Sequence, residues 1–195
     1  MSRVLLLYAS HYGHTRRIAD RLAQLLRERD HQVDVVDVRT GALRLPAPER
    51  YDVVVLGSRV EFGRHATDLI EYIRIHREAL SRMPTAFFSV SMAASGPAAG
   101  ADPSAYLAAM FEDLGWYPAQ AISLAGGLPY RRYGWIMRFV MKRIARGAGH
   151  TTDTSRNHDF TDWNAVASFA DKIEYIAGGS ARREARTHDT QQHTN

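Results

Sequence analysis

The stretch from residue 4 to residue 15, VLLLYASHYGHT, decides how this chain reads. Val4 to Leu7 is an unbroken apolar run, the pattern of a strand buried on both faces. It leads into a short polar loop, Ser10-His11-Tyr12-Gly13-His14-Thr15, and then into a helix. A turn of this kind gathers free backbone N–H groups and the positive end of a helix dipole at one point, which makes a seat for phosphate. Ser10, Thr15 and the N–H groups from Tyr12 to Thr15 would surround the anion, each charge-assisted hydrogen bond contributing about 1.5–3 kcal/mol. The loop has no lysine, so backbone donors would supply most of the contacts. Neither G-x-G-x-x-G nor G-x-x-x-x-G-K-[ST] is present, and an ordinary N-capped strand-to-helix turn has the same outline.

Working outward, apolar strands alternate with helical patterns, which predicts an α/β fold with a parallel sheet covered on both faces. Strands are expected at 4–9, 33–38, 53–57, 86–91 and 121–125. Helix one is expected over about 14–29, with Ile18, Leu22, Leu25 and Leu26 inward. A second helix over about 66–80 turns Leu69, Ile70, Ile73 and Leu80 inward, and a third starts near Asp102-Pro103 and ends near Leu114. Residues 126–160 form an insertion with its own helix. A closing helix over about 162–177 follows, N-capped by Thr161 or Asp162. The tail, 178–195, is polar and aperiodic, and is expected to be disordered. Residues 1–177 thus make one domain.

At 195 residues the chain suits one domain with a full core, and 45% apolar and 24% charged residues are ordinary for a globular protein. The net charge of +4 points weakly toward an anionic partner: a nucleic acid, an acidic lipid surface or an acidic small molecule. There is no cysteine, which excludes disulfides, thiolate catalysis and cysteine-ligated metals. Redox chemistry would need an exogenous cofactor. The nine histidines show no H-E-x-x-H spacing, and no metal site is expected. The first segment is too short, and followed too soon by Arg16 and Arg17, to read as a signal peptide; no window is long and apolar enough for a spanning helix. A cytoplasmic location is expected.

Two more loops emerge at C-terminal strand ends. After strand three comes Ser58-Arg59-Val60-Glu61-Phe62-Gly63-Arg64, an aromatic among small and flexible residues. After strand four comes Ser91-Met92-Ala93-Ala94-Ser95-Gly96, with small side chains and several backbone donors. Phe62 is placed to pack on a flat ring, with a hydrophobic plug over the sheet as the alternative reading. The insertion is more distinctive. Between Arg131 and Arg146 lie six basic residues and no acidic one, and from Tyr133 to Ala145 nine are apolar or aromatic. Drawn as a helix, Arg138, Lys142 and Arg146 form one stripe, with Arg143 adding to the charge; Ile136, Val140 and Ile144 form another, flanked by Trp135 and Phe139. Such a helix suits an anionic membrane surface, where basic residues contribute roughly 1 kcal/mol each. The apolar stripe would serve equally to pack on the sheet. Nucleic acid is not expected, because no stacking platform accompanies the charges.

The first loop resembles the T/S-x-T/x-G-x-T phosphate loop of flavodoxin-like proteins. The wider chain, over about residues 3–177, resembles the quinone-dependent protoporphyrinogen IX dehydrogenases. That resemblance lies in Met83-Pro84-x-Ala86-Phe87-x-Ser89-Val90, in Ala125-Gly126-Gly127-Leu128-x-Tyr130-Arg131-x-Tyr133-x-Trp135, in Thr152-Asp153-Thr154 and in Thr161-Asp162-Trp163. It implies a flavodoxin-like doubly wound sheet of five strands in the order 2-1-3-4-5, with ligands beyond the C-terminal strand ends. It implies FMN held by Ser10, His11, Tyr12, Gly13, His14 and Thr15, by Ser58 to Gly63, and by Ser91, Met92, Ala93 and Ala94. It also implies oxidation of protoporphyrinogen IX in three two-electron steps, with electrons passed to menaquinone or ubiquinone. Arg59, Arg64, Tyr130, Arg131 and Arg132 are candidates for the substrate and its propionates. Trp135, Arg138, Phe139, Lys142, Arg143 and Arg146 are candidates to face the inner surface of the cell membrane. His11 and Tyr12 stand where relatives carry other polar residues, and the polar tail lies outside the resemblance. A homo-oligomer stays open. So do a flavodoxin-like electron carrier, an NAD(P)H:quinone reductase and a binding module that has lost its flavin.

Overall fold

The computed structural model describes residues 1–39, 45–91, 103–128 and 158–192, of which 103, 127–128, 158–159 and 180–192 are described by backbone alone. The candidates Met92, Ala93, Ala94, Tyr130, Arg131, Arg132, Trp135, Arg138, Phe139, Lys142, Arg143 and Arg146, and with them the basic helix, lie outside the described residues.

Strand β1 (Arg3–Ala9) has β2 (Gln32–Asp37) on one side and β3 (Val53–Glu61) on the other; β5 (Thr85–Ser91) and β6 (Gln120–Ala125) extend the sheet beyond β3. All four pairings are parallel, and the path is β2-β1-β3-β5-β6. Setting aside β4 (Arg64–His65), a two-residue strand antiparallel to the end of β3, this is the expected order 2-1-3-4-5. The switch between β1's neighbours opens a crevice at the C-terminal strand ends, where ligands of doubly wound sheets bind.

The apolar runs work because both faces are covered. Along β1, Val4, Leu6 and Tyr8 enter one core layer and Leu5, Leu7 and Ala9 the other, as the two-residue strand period requires. The first layer lies under α1 (His14–Arg27) and α5 (Trp163–Gln192), the second under α2 (Thr67–Ile75), α3 (Arg77–Arg82) and α4 (Pro103–Leu114). Ile18, Ala19, Leu22, Ala23 and Leu26 bury the inner face of α1, while Leu25, expected inward, sits at its edge. Phe87, Phe111 and Trp116 form an edge-to-face ladder in the second layer, with centroids 5.6 and 5.9 Å apart.

The expected single helix over 66–80 is two helices. His76 (φ −103, ψ 16) leaves helical geometry, its ring 4.5 Å from that of Tyr72, and α3 restarts behind it. No glycine or proline marks this break, so the apolar spacing alone does not reveal it. The closing helix is longer than expected. Burial ends at Ala177, where the sequence places the helix end, yet the backbone stays helical through exposed Gly178 and Gly179 to Gln192, where a disordered tail is expected. Two mid-helix glycines cost about 1 kcal/mol each, and the alanine-, arginine- and glutamate-bearing run from 181 to 186 offsets them.

Asp162, not Thr161, is the N-cap of α5: its Oδ1 accepts the Asn164 N–H at 2.9 Å and the Ala165 N–H at 3.1 Å. Asp162→Ala is expected to lower unfolding free energy by about 1 kcal/mol. Urea titration of both proteins checks this, and equal midpoints would show that the cap contributes nothing.

Candidate functional site

Ser10 ends β1 buried, and its Oγ accepts the Gly13 N–H at 3.1 Å, which folds the loop back on itself. Gly13 takes φ +88 as the residue preceding α1, a conformation that favours glycine, and having no side chain it leaves the helix uncapped. The N-terminus of a 14-residue helix is therefore presented at the sheet edge. A phosphate seated here would share the Gly13 N–H with Ser10. Thr15 is buried, Tyr12 half-buried and His11 exposed, with the His11 and Tyr12 rings stacked at 4.4 Å. The positive charge that the loop lacks in sequence arrives from elsewhere: Arg39, just past β2, donates from Nη1 to the Ser10 carbonyl. The 2-1-3 strand order places that loop beside the first one, so a basic residue after strand two was the available signal.

His14 is held from the start of α5, on the same face of the sheet. The Thr161 hydroxyl donates to the Ala125 carbonyl at 3.0 Å, so the 2.7 Å contact between His14 Nε2 and Thr161 Oγ1 has the imidazole as donor. This bond joins the loop after β1 to the end of β6. There β7 (Gly127–Leu128) pairs with β8 (His158–Asp159) across the root of the insertion. The sequence suggested Thr161 only as a cap.

The stretch after strand three is not an open loop. β3 continues through Ser58, Arg59 and Val60 to Glu61, turns at Phe62-Gly63 and returns as β4. Phe62 (φ 51) and Gly63 (φ 75) both adopt positive φ, the geometry of a two-residue hairpin turn. Asn-Gly or Asp-Gly would have announced it; Phe-Gly does not. Phe62 is 88% exposed at the tip, so it plugs nothing. Buried and part-buried polar bonds hold the hairpin. Ser58 Oγ donates to the Arg59 carbonyl and accepts the Ala66 N–H, both at 3.0 Å. His65 Nε2 lies 3.0 Å from Ser89 Oγ, with its ring edge-on to Phe87. Burial pushes the His65 imidazole down to about 4, so it is neutral at pH 7.

Arg59 and Glu61 share one face of β3, two residues apart. Arg59 Nε is 3.0 Å from Glu61 Oε2, and Glu61 Oε1 is 3.4 Å from His11 Nδ1. The Arg59 distance suits an ion pair, but its N–H does not point at the carboxylate: Arg59 Nε and Nη1 are buried and make no hydrogen bond among the described residues. Val60 is half-buried and Arg64 exposed. On the next strand Ser91 is buried and its carbonyl accepts the Gly126 N–H at 3.0 Å. The C-terminal edge thus brings together Ser10 to Thr15, Ser58 to Arg64, Arg39 and Ser91. A helix N-terminus, three arginines and an exposed aromatic are the parts a flat anionic ligand needs.

The flavodoxin domain family matches residues 5–155. The protoporphyrinogen IX dehydrogenase [quinone] of Escherichia coli (strain K12) is 34% identical over 175 residues, covering 89% of this chain and 96% of that protein. The protein of the same name from Leishmania major is 34% identical over 170 residues, covering 86% of this chain and 73% of its own length. Among solved structures, rubredoxin oxygen:oxidoreductase from Desulfovibrio gigas superposes with a TM-score of 0.54 at 14% identity, over 92% of this chain and 37% of that one, a likeness of fold alone. With flavodoxin topology and this identity over almost the whole length, the chain belongs to the flavodoxin-domain family, among the quinone-dependent protoporphyrinogen IX dehydrogenases.

Proposed function

We propose that this protein oxidises protoporphyrinogen IX to protoporphyrin IX through bound FMN and delivers the electrons to a membrane quinone, menaquinone or ubiquinone. The identity with relatives bearing that name, over 89% of the chain, carries the reading. The sheet edge fits a phosphate-bearing flavin on two counts. Gly13 leaves the α1 N-terminus without a side-chain cap, and Arg59 holds buried N–H groups that lack an acceptor among the described residues. Bound flavin supplies hydride acceptance and passes the electrons on.

The residues of the chain bind, orient and shield. Ser10 to Thr15 hold the phosphate through backbone N–H groups and hydroxyls, with Arg39 adding positive charge behind the loop. The Phe62-Gly63 tip offers an aromatic face to a flat ring, and the Ser91 end of β5 faces it from the adjoining strand, continued by Met92, Ala93 and Ala94. Arg64, exposed beside that tip, and Tyr130, Arg131 and Arg132 take the propionates of the substrate. Among the described residues no helix is long and apolar enough to cross a membrane. The quinone is then met at the surface, where Trp135, Arg138, Phe139, Lys142, Arg143 and Arg146 engage anionic lipid.

The test is a visible spectrum of the FMN-loaded protein, with protoporphyrinogen IX added anaerobically and then a menaquinone analogue. Bleaching of the flavin band, recovery on adding quinone and the rise of porphyrin fluorescence are expected. Flavin that binds and stays oxidised would overturn the substrate; failure to bind FMN would overturn the cofactor site.

A further inference from the structure

Arg59 is a charged group in an incomplete arrangement. Its guanidinium has five N–H donors in a rigid fork and keeps its charge at all relevant pH. At the end of β3 two of its nitrogens are buried and find no acceptor among the described residues, although a carboxylate oxygen stands 3.0 Å away. Glu61 balances the charge without meeting the fork. Its other oxygen leans toward His11 in the phosphate loop at 3.4 Å, so one carboxylate is shared between two strands' ends. The side chain of Glu61 is about one-third exposed, and that of Arg59 less than one-quarter. The acid is the more exposed of the pair and the one with the shorter way to water.

We propose that Glu61 is an internal stand-in for a ligand oxyanion. In the free chain it half-fills an anion seat formed by Arg59 and His11; on binding, a phosphate or carboxylate of the ligand displaces it and takes the Arg59 fork in bidentate geometry. The inference rests on the function proposed above and adds its selectivity device. A ligand with the anion recovers what it costs to part Arg59 from Glu61. A neutral analogue must leave the pair intact or break it for nothing, so the seat discriminates against it. The seat lies between the phosphate loop and the base of the Phe62 hairpin. The shared chemistry is thus an oxyanion that either FMN, as phosphate, or the porphyrinogen, as propionate, brings to this edge.

Two arms separate those sources in the full-length protein, using wild type, Arg59→Gln and Glu61→Gln, with thermal melts to confirm folding. In the first, FMN and riboflavin are titrated by flavin fluorescence. In the second, FMN-loaded protein turns over protoporphyrinogen IX or its dimethyl ester with a quinone acceptor. In one of the arms wild type favours the anionic ligand, and Arg59→Gln reduces that preference by about ten- to a hundred-fold. In the substrate arm this falls on KM more than on kcat. Glu61→Gln moves the other way, tightening the anionic ligand by about three- to ten-fold because the competitor is neutral. The arm that responds names the ligand. Preferences unchanged by Arg59→Gln in both arms, or weaker anion binding by Glu61→Gln, would overturn the inference. Wild type that turns over neither porphyrinogen overturns the proposed reaction instead, and the flavin arm alone then decides the seat.

Discussion

Gly57→Ala is expected to destabilise the fold by about 3 kcal/mol. Gly57 pairs with Phe88 across the β3–β5 ladder, and the Phe88 ring covers the space above it. A Cβ built on Gly57 would lie 2.0 Å from Phe88 Cζ and 2.3 Å from Cε1. An exposed ring would rotate away at little cost. Phe88 is fully buried in the layer beneath α1 and α5, so it can move only by displacing its neighbours. A double-mutant cycle with Phe88→Leu isolates the contact. Alanine at 57 should cost markedly less in the Phe88→Leu background, giving a coupling energy of about 1 kcal/mol or more. Strictly additive urea midpoints would show that the ring is not what excludes a side chain at 57.

The second large effect is acid destabilisation through His65. Its imidazole titrates near 4 in the folded protein because burial disfavours the cation, against about 6.5 when unfolded. Between those values the unfolded chain binds the extra proton, so this contribution is full above about pH 6.5 and falls away as pH drops toward 4. The whole window is worth about 3 kcal/mol. Unfolding free energies of wild type and His65→Gln, measured at pH 7 and at pH 4.5, check it. Carboxylates titrate in both proteins, so the difference between the two slopes isolates the imidazole. Wild type should lose about 2–3 kcal/mol more than the variant over that range. Parallel losses would mean that the ring takes up its proton without leaving Ser89.

These two positions differ in how they relate to the sequence. Gly57 is the only break in an apolar run, VVVLG, that reads as a strand in any context; what the tertiary structure adds is the ring that requires the glycine. His65 carries no sequence signal. It becomes buried only because β3 overshoots its expected end and doubles back, bringing residue 65 against Ser89 of another strand. The turn that causes this, Phe62-Gly63, lacks the side chains that usually mark such hairpins. A stretch that composition reads as loop is therefore paired strand, and Phe62, read as a plug or a ring-packing residue, is offered to solvent at its tip.

The same division holds across the site. With the strand order implied by the family resemblance, the apolar runs and the 3.6-residue spacing in VLLLYASHYGHT and its successors determined the presence of five strands, their parallel arrangement, most of the inner face of α1 and the place of the first strand-to-helix loop. Each of these follows from burying a local pattern on one or two faces. Only the tertiary structure decided that Arg39 supports Ser10, that His14 is tied to Thr161, 147 residues away, and that Glu61 stands beside both Arg59 and His11 while Arg59 Nε and Nη1 find no hydrogen bond among the described residues. Periodicity reports which side of an element is dry. Partnerships between polar side chains depend on where several strand ends meet, and that is settled by the sheet order and by short turns whose geometry no single residue announces.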